Sequence, residues 1–243
     1  QGYKNSLYLL GMRARSVFIT GTNTGAGKTI LTALLLHHLR DSGVDALAMK
    51  PVCTGPRDDV RLLQSLQPGS VRMDLMNPFH YITPAAPVVA ACRSTRKVGV
   101  KELRSAVSLI EKECDQLLVE GAGGVLVPLN ERGQTWADFL IKTKMPVFVA
   151  AKNELGVLNH ALLTVKHLQS LGAEVLGVCL MNAVNDAKIS QSQRTNFEVL
   201  RNCLGETPVF SVPFLGKNAG KTELIKQGQK KIKKTLAEIS DLV

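Results

Sequence analysis

Residues 21–29 form a glycine-rich segment, GTNTGAGKT, that constrains the fold more than any other part of the chain. The apolar residues 16–20 before it predict a β-strand, and residues 27–42 after it predict a long helix. A glycine-rich turn between a strand and a helix points backbone N–H groups at one place in front of the helix, where an anion binds. The segment therefore predicts a phosphate-binding loop.

This loop departs from the usual pattern G-x-x-x-x-G-K-S/T at its first glycine. Position 22 is threonine, and Gly21 lies one place earlier. An ordinary glycine-rich turn is the alternative, but a strand, the letters GKT and a helix in succession favour a nucleotide site. There Lys28 would contact the β- and γ-phosphates and the Thr29 hydroxyl would bind Mg²⁺. The backbone N–H groups expected to face phosphate belong to Gly25, Ala26 and Gly27.

Continuously apolar runs alternate with helical stretches along the rest of the chain, which is typical of a parallel sheet buried on both faces. We expect strands at residues 16–20, 46–50, 116–120, 146–151, 175–181 and 209–212. We expect helices at residues 27–42, 59–67, 100–114, 135–142, 158–171, 189–204 and, rich in lysine, 222–242. The prediction is an α/β fold of the P-loop NTPase type, with a doubly wound, mainly parallel sheet and helices on both faces.

The domain organisation follows from the absence of any low-complexity or Gly/Ser-rich linker in the sequence. We expect one domain over residues 16–243, preceded by an extension over residues 1–15. The proline-rich residues 77–87 predict a loop rather than a hinge between domains.

The distribution of charge and the spacing of the cysteines argue against a nucleic-acid-binding protein and against a disulfide-bonded one. Of the net charge of +10, residues 1–15 hold +3 and residues 215–243 hold +4, and aromatic residues are only 5% of the chain. A nucleic-acid groove needs basic and aromatic residues within the fold, so we expect no nucleic-acid partner. No apolar run is long enough to span a membrane. Five widely spaced cysteines without a C-x-x-C pair predict free thiols and a cytoplasmic protein.

Four more motifs follow the loop in chain order. They are KPVCTG at residues 50–55, EGAGG at residues 120–124, LGVLNHA at residues 155–161, and Asn182 after the strand VLGVCLM. Together with GTNTGAGKT they resemble the motifs of dethiobiotin synthetases from about residue 17 to residue 215. Five motifs in the same order are far more specific than any one of them.

The resemblance implies an ATP- and Mg²⁺-dependent ligase of biotin biosynthesis that works as a homodimer. In this family one amine of 7,8-diaminopelargonate takes up CO₂, which is in equilibrium with bicarbonate, to form a carbamate. The carbamate oxygen attacks the γ-phosphorus of ATP, giving a carbamic-phosphoric anhydride and ADP. The second amine then closes the five-membered ureido ring of dethiobiotin and releases phosphate.

The resemblance also assigns site residues by their position in the motifs. Lys50 would stabilise the carbamate and the transferring phosphoryl group, with Lys28 and Thr24 as the other catalytic residues. The residues that would contact the base are Asn182, Pro213 and Phe214. The residues that would contact the diamine substrate are Thr54 and, reached from the neighbouring subunit, Gly156, Val157, Leu158 and Asn159. We interpret His160 as structural.

Three oxygen donors are candidate ligands for Mg²⁺, which prefers hard oxygens. Glu120 follows a predicted strand at its carboxyl end, where open α/β sheets bind ligands, and a solvated carboxylate is the alternative. Thr29 is the second ligand. Aligning the letters DVRLL with the family pattern favours Asp59 as the third, while Asp58 stays open as a ligand or as the N-cap of the next helix.

Two other classes of protein with this loop would require residues that differ from those present here. A partitioning ATPase of the same loop class carries a second lysine early in the loop, where this chain has Thr22, Asn23 and Thr24. A regulatory domain without activity is expected to lose the lysine or metal ligands, which are present here. Gly25 stands where many dethiobiotin synthetases carry an acidic residue, which leaves one substrate contact in doubt.

Overall fold

The computed structural model describes residues 15–69, 71–92, 94–185, 189–216 and 220–243, so residues 1–14 of the predicted extension lie outside the described residues. The described residues contain eight strands. They are β1 (Ser16–Gly21), β2 (Ala46–Met49), β3 (Val52–Thr54), β4 (Phe79–Tyr81), β5 (Gln116–Gly124), β6 (Val147–Lys152), β7 (Val175–Met181) and β8 (Val209–Val212). Six of them form one parallel sheet in the order β2-β5-β1-β6-β7-β8, which confirms the predicted α/β fold.

Helices connect these strands, as parallel pairing requires. The α-helices of the described residues are α1 (Lys28–Asp41), α2 (Asp58–Ser65), α3 (Met73–Met76), α4 (Pro87–Ala90), α5 (Val100–Ile110), α6 (Trp136–Thr143), α7 (Val157–Ser170), α8 (Gln191–Leu204), α9 (Thr222–Lys231) and α10 (Lys233–Ser240). A 3₁₀ turn, Glu111–Glu113, continues α5 and replaces the end of the predicted helix. The other helices predicted before residue 205 are present with ends shifted by a few residues.

Both faces of the sheet are covered. In β1, Phe18 packs against the rings of Trp136 and Phe139 in α6, with centroids 5.2 and 5.8 Å away. Its neighbours Val17 and Ile19 point to the opposite face and have no exposed surface either. Successive residues buried on opposite sides explain the continuously apolar strands of the sequence.

Four predicted strand ends were wrong, and two of them, in β1 and β6, are one residue short of Gly21 and Lys152. β5 runs on to Gly124, so Glu120 lies inside the strand, opposite Ile19 of β1, rather than just past its end. β2 ends at Met49 instead of Lys50. The chain leaves the sheet there because the Lys50 N–H donates to the carbonyl of Met76 and the Lys50 carbonyl accepts from Asn77 Nδ2.

Two further predictions are corrected near the prolines and at the C-terminal end. The predicted loop 77–87 contains β4, which pairs in parallel with β3 in a small second sheet, since the prolines flank this strand rather than interrupt it. The predicted helix 222–242 is broken into α9 and α10 at Ile232, whose φ and ψ are −118° and 27°. Gly228 weakens the helix near this break, and both halves contact α1.

No described helix combines the length and the hydropathy that crossing a bilayer requires. All five cysteines lie within the described residues and are free, as predicted.

Candidate active site

The predicted site residues lie where the parallel strands end. Because the six strands run in one direction, their carboxyl ends meet at one edge of the sheet, where open α/β sheets bind ligands. β1 ends at Gly21 and leads into the phosphate loop, residues 21–29. Lys50 follows β2, Asn182 follows β7 and Pro213 follows β8. The fold therefore gathers motifs that are far apart in the sequence.

Two glycines of the phosphate loop adopt backbone conformations that other residues rarely adopt. The φ angle is +78° at Gly25 and +97° at Gly27, and α1 begins at the next residue, Lys28. A Cβ on Gly27 would lie 2.7 Å from Cγ of Met181, whereas a Cβ on Gly25 would meet no atom within 4 Å. Gly27 thus satisfies both a conformational and a steric requirement.

Replacing Gly27 with alanine is expected to lower nucleotide affinity by at least roughly tenfold and the free energy of unfolding by about 1–3 kcal/mol. Strain at positive φ lowers the free energy of unfolding. Displacement of Met181 changes the nucleotide cavity and lowers the nucleotide affinity. Gly172→Ala is the matched control, since its φ is +72° and its Cβ would meet no atom within 4 Å. Calorimetric titration with ATP and thermal melting measure both effects. Equal nucleotide affinity in the two variants would show that Gly27 has only a backbone role.

Lys50 lies between two carboxylates. Its Nζ donates to Glu120 Oε1 at 2.8 Å and forms a short ion pair with Asp59. The same Glu120 oxygen accepts a hydrogen bond of 2.7 Å from Thr29 Oγ1. Glu120 has no exposed surface, and a buried charge is tolerated only with such partners. The phosphate loop, the end of β2 and the middle of β5 are therefore joined through these side chains.

The two lysines of this site have opposite pKa shifts, although burial is the largest influence on both. Burial lowers the pKa of Lys28 from 10.5 to about 8, because attraction to Glu120 offsets it only in part. Burial also disfavours charge on Lys50, but Glu120 and Asp59 outweigh it and raise the pKa of Lys50 above its usual value. Lys50 therefore stays protonated, while Lys28, whose Nζ donates to the Asn23 carbonyl at 2.9 Å, is the less stabilised cation.

The structure separates the two aspartates at the start of α2. Asp59 is half-exposed and pairs with Lys50. Asp58 is largely exposed and pairs with Arg61 one turn along the helix, at 2.9 Å. The N-cap residue of α2 is Arg57, so Asp58 does not serve as the cap. Of the two, Asp59 is the one whose carboxylate contacts the Lys50–Glu120 group.

Two cavities lie on either side of the phosphate loop. The larger, of about 630 Å³, is lined by the three predicted base-binding residues, Asn182, Pro213 and Phe214, and by Gly25, Ala26 and Gly27 of the phosphate loop. The smaller, of about 490 Å³, is lined by Thr24, Lys28, Thr29, Lys50, Thr54 and Asp59. Gly25 and Gly27 border both. A nucleotide lying across the loop would reach one cavity with its base and the other with its terminal phosphate.

The loop predicted to contact the diamine from the neighbouring subunit, residues 155–159, lies apart from both cavities. Among the described residues that line them, none comes from residues 155–159. Val157 is buried in the core at the start of α7, whereas Gly156, Asn159 and His160 are exposed and Leu158 is half-buried. Leu155 is 87% exposed.

The oxygen donors beside the smaller cavity fit Mg²⁺. Glu120 Oε2 is buried and has no hydrogen-bond partner in the described part of the chain. The Thr29 hydroxyl contacts the other oxygen of that carboxylate, and Asp59 lies on the far side of Lys50. A buried carboxylate oxygen without a donor, a hydroxyl bonded to the same carboxylate and a second carboxylate across Lys50 match the hard-oxygen preference of this ion.

Sequence reasoning missed several residues of the site. Asn153 directly follows β6 and is buried, with its side chain bonded to Asn182. Lys152 lines the larger cavity and Cys53 the smaller one, where burial raises the pKa of the Cys53 thiol. A polar residue at the end of an apolar strand is the signal that could have pointed to Asn153, because that edge carries the ligand site.

Comparison with known proteins gives one consistent family. A family model described as an AAA domain matches residues 15–221. A protein named ATP-dependent dethiobiotin synthetase from Akkermansia muciniphila is 35% identical over 71% of this chain and 80% of its own length. A protein of the same name from Methanocaldococcus jannaschii is 34% identical over 76% of this chain and 87% of its own length. The relative from Bacillus subtilis strain 168 is 31% identical over 83% of this chain and 86% of its own length.

Solved structures with a similar fold are more distant in sequence. The septum site-determining protein MinD from Pyrococcus horikoshii, complexed with Mg-ADP, has a TM-score of 0.57 at 18% identity and covers 93% of this chain and 94% of its own. A ParA family ATPase from Chlorobium tepidum has a TM-score of 0.52 at 14% identity and covers 94% of this chain and 98% of its own. At such identities the likeness shows the fold alone.

Proposed function

The chain belongs to the family of ATP-dependent dethiobiotin synthetases, and from that premise we propose that it is an ATP-dependent ligase that makes dethiobiotin from 7,8-diaminopelargonate, CO₂ and ATP. One observation carries the proposal: the phosphate loop lies between a cavity lined by the base-binding residues and a cavity lined by Lys28, Lys50 and Asp59. A phosphoryl acceptor in the smaller cavity would lie beside the end of a nucleotide that starts in the larger one.

Lys28 and Lys50 would act as the positive charges of the reaction. A carbamate, formed by one amine and CO₂, is an anion that must approach the anionic γ-phosphate. Lys50 lies in the wall of the smaller cavity and Lys28 at the start of α1, so together they would neutralise both reactants. Thr24 and Thr54 line the same cavity and would position the diamine through their hydroxyls. The carbamate oxygen would take the γ-phosphoryl group and release ADP, and the second amine would then attack the carbon of this anhydride, closing the ring and releasing phosphate.

Thr29, Asp59 and Glu120 would hold Mg²⁺. When bound, the ion would neutralise charge on the phosphate oxygens. Glu120 is held in place by Thr29 and Lys50, so it needs little rearrangement to act. Asn182, Pro213 and Phe214 would enclose the base. The proposed setting is the cytoplasm, and the proposed unit is one domain over residues 16–243 with an extension before it.

Product analysis tests the proposal directly. The protein is incubated with diaminopelargonate, bicarbonate, Mg²⁺ and ATP, and the product mass and released phosphate are measured. Dethiobiotin and phosphate in equal amounts are expected. ATP hydrolysis at an unchanged rate without diamine, with no dethiobiotin, would indicate a partitioning-type ATPase and contradict the proposal.

A homodimer is expected, because Gly156–Asn159 would complete the site of the neighbouring subunit. Leu155, next to these residues, is exposed and therefore accessible to a partner subunit. Light scattering should give twice the 26.3 kDa of one chain, and Leu155→Glu should lower both mass and activity. A fully active species of 26.3 kDa would contradict the dimer.

Mixing inactive variants tests whether the loop serves the other subunit. Lys28→Met and Asn159→Ala lie in the two halves of such a shared site. After random exchange of subunits, roughly a quarter of the sites should be intact, because half of the dimers are mixed and each holds one intact site. Recovered turnover supports the shared site, whereas no recovery after proven exchange would place both residues in the same subunit's site.

A further inference from the structure

The side chain of Asn182 is hydrogen-bonded to a network of buried asparagine side chains. Asn153 Nδ2 donates to Asn182 Oδ1 at 2.8 Å and to the backbone carbonyl of Gln193 at 3.0 Å. Asn153 Oδ1 accepts from Asn196 Nδ2 at 2.8 Å. Asn153 and Asn196 are 3% and 4% exposed, so water does not compete for these bonds. The residue at the base cavity is therefore held by a network that reaches α8.

These contacts decide which way each amide faces. A backbone carbonyl only accepts hydrogen bonds, so the Asn153 atom next to the carbonyl of Gln193 must be its amide nitrogen. The second hydrogen of that nitrogen points at Asn182, whose facing atom must then be Oδ1. Asn182 lines the larger cavity, and its Nδ2 is left to donate there. Oδ1 keeps one lone pair beyond the one that Asn153 uses.

We propose that Asn153 is a positioning residue that sets the base specificity of the nucleotide site by holding the Asn182 amide in one orientation. An amide with one donor and one acceptor matches adenine, whose N7 accepts and whose N6 amine donates. A 6-oxo purine places an acceptor opposite Oδ1 instead of the amine. The inference rests on the proposed nucleotide site, but not on the ring-closing reaction.

The main chain at Asn153 is anchored without its side chain. Its backbone N–H donates to the carbonyl of Met181 at 2.8 Å, and its carbonyl accepts from Gln193 Nε2 at 2.6 Å. Removing the side-chain amide therefore leaves the path of the chain after β6 in place. The substitution removes the donor that prevents the Asn182 amide from flipping. We therefore expect base discrimination to decrease, and phosphate binding to be retained.

Equilibrium binding tests this without any turnover. Dissociation constants for ATP and for inosine triphosphate, which differs at position 6 of the purine, are measured by calorimetry with Mg²⁺ and without diamine. The wild-type protein should favour ATP. In Asn153→Ala the preference should shrink by roughly three- to tenfold through weaker ATP binding, with inosine triphosphate nearly unchanged. If the alanine variant fails to fold, the same two dissociation constants are measured in Asn153→Ser.

Asn196→Ala is the matched control, because it removes a buried amide of the same network and leaves the Asn153–Asn182 bond. It should lower thermal stability but keep the ratio of the two constants within about twofold of wild type. In an Asn182→Ala background, Asn153→Ala should change the ratio no further.

Several results would overturn the inference. They are an equal wild-type affinity for both nucleotides, an unchanged ratio in Asn153→Ala, and an equal loss for both nucleotides that Asn196→Ala reproduces. A protein that binds ATP with this specificity yet makes no dethiobiotin would refute the proposed reaction and leave the role of Asn153 standing. A wild-type protein that binds no nucleotide would refute both.

Discussion

Replacing Lys28 with methionine is expected to cut the kcat of dethiobiotin formation by roughly three orders of magnitude or more, because phosphoryl transfer depends on fixed positive charge at the phosphates. Thermal stability near neutral pH should not fall. Burial lowers the pKa of Lys28 to about 8, so the folded protein holds this charge at a cost in free energy, and an apolar side chain of similar length removes that cost. Loss of activity with equal or higher melting temperature is the expected pair of results.

Lys166→Met is the control for the loss of a lysine, since Lys166 is exposed on the outer side of α7. It should leave kcat and melting temperature unchanged. Turnover and thermal melting are measured on the same preparations. Normal turnover by a folded Lys28→Met protein would refute the assignment of residues 21–29 as the catalytic phosphate loop.

Most of the fold could be predicted because its strands are buried on both faces. β7 and β8 have the predicted ends, and the phosphate loop lies between β1 and α1 as its glycines and its letters GKT indicated. β3 and β4 were missed because each has only three residues, too few for an alternation to be visible in the sequence. The end of β5 was missed because glycine has low strand propensity, yet here the strand continues through a register shift to Gly124, which pairs with Gly21.

The contacts within the site could be predicted only in part. The order of motifs places Lys50 and Glu120 at one sheet edge, but their 2.8 Å contact joins residues 70 positions apart and depends on the depth of Glu120 within β5. The choice between Asp58 and Asp59 depended on one residue of helix register, which a loop alignment does not fix. The position of Asn153 at the end of β6 marks it as a site residue, but its bonds to Asn182 and α8 join residues 29 to 43 positions apart, which no local pattern encodes.

Replacing Glu120 with glutamine should cut kcat by roughly two to three orders of magnitude, the loss typical of removing one preorganised electrostatic group. The amide oxygen can still accept from Thr29 and Lys50, so the geometry is kept while the negative charge is lost. The amide nitrogen replaces an oxygen that has no donor in the described structure, and a nitrogen with two hydrogens cannot bind Mg²⁺. The dependence of kcat on Mg²⁺ should therefore shift to higher concentration, with partial recovery at excess metal.

Asp59→Asn should behave like Glu120→Gln, and the double variant should lose less than the product of the two effects, because both residues would act on one ion. Asp58→Asn is the matched control, since this exposed neighbour pairs with Arg61 and should leave the Mg²⁺ dependence unchanged. Titration of kcat with Mg²⁺, together with calorimetry of ADP binding with and without the metal, separates metal binding from base binding. A Glu120→Gln protein with wild-type Mg²⁺ dependence that loses only diamine affinity would make Glu120 a substrate contact and remove it from the metal site.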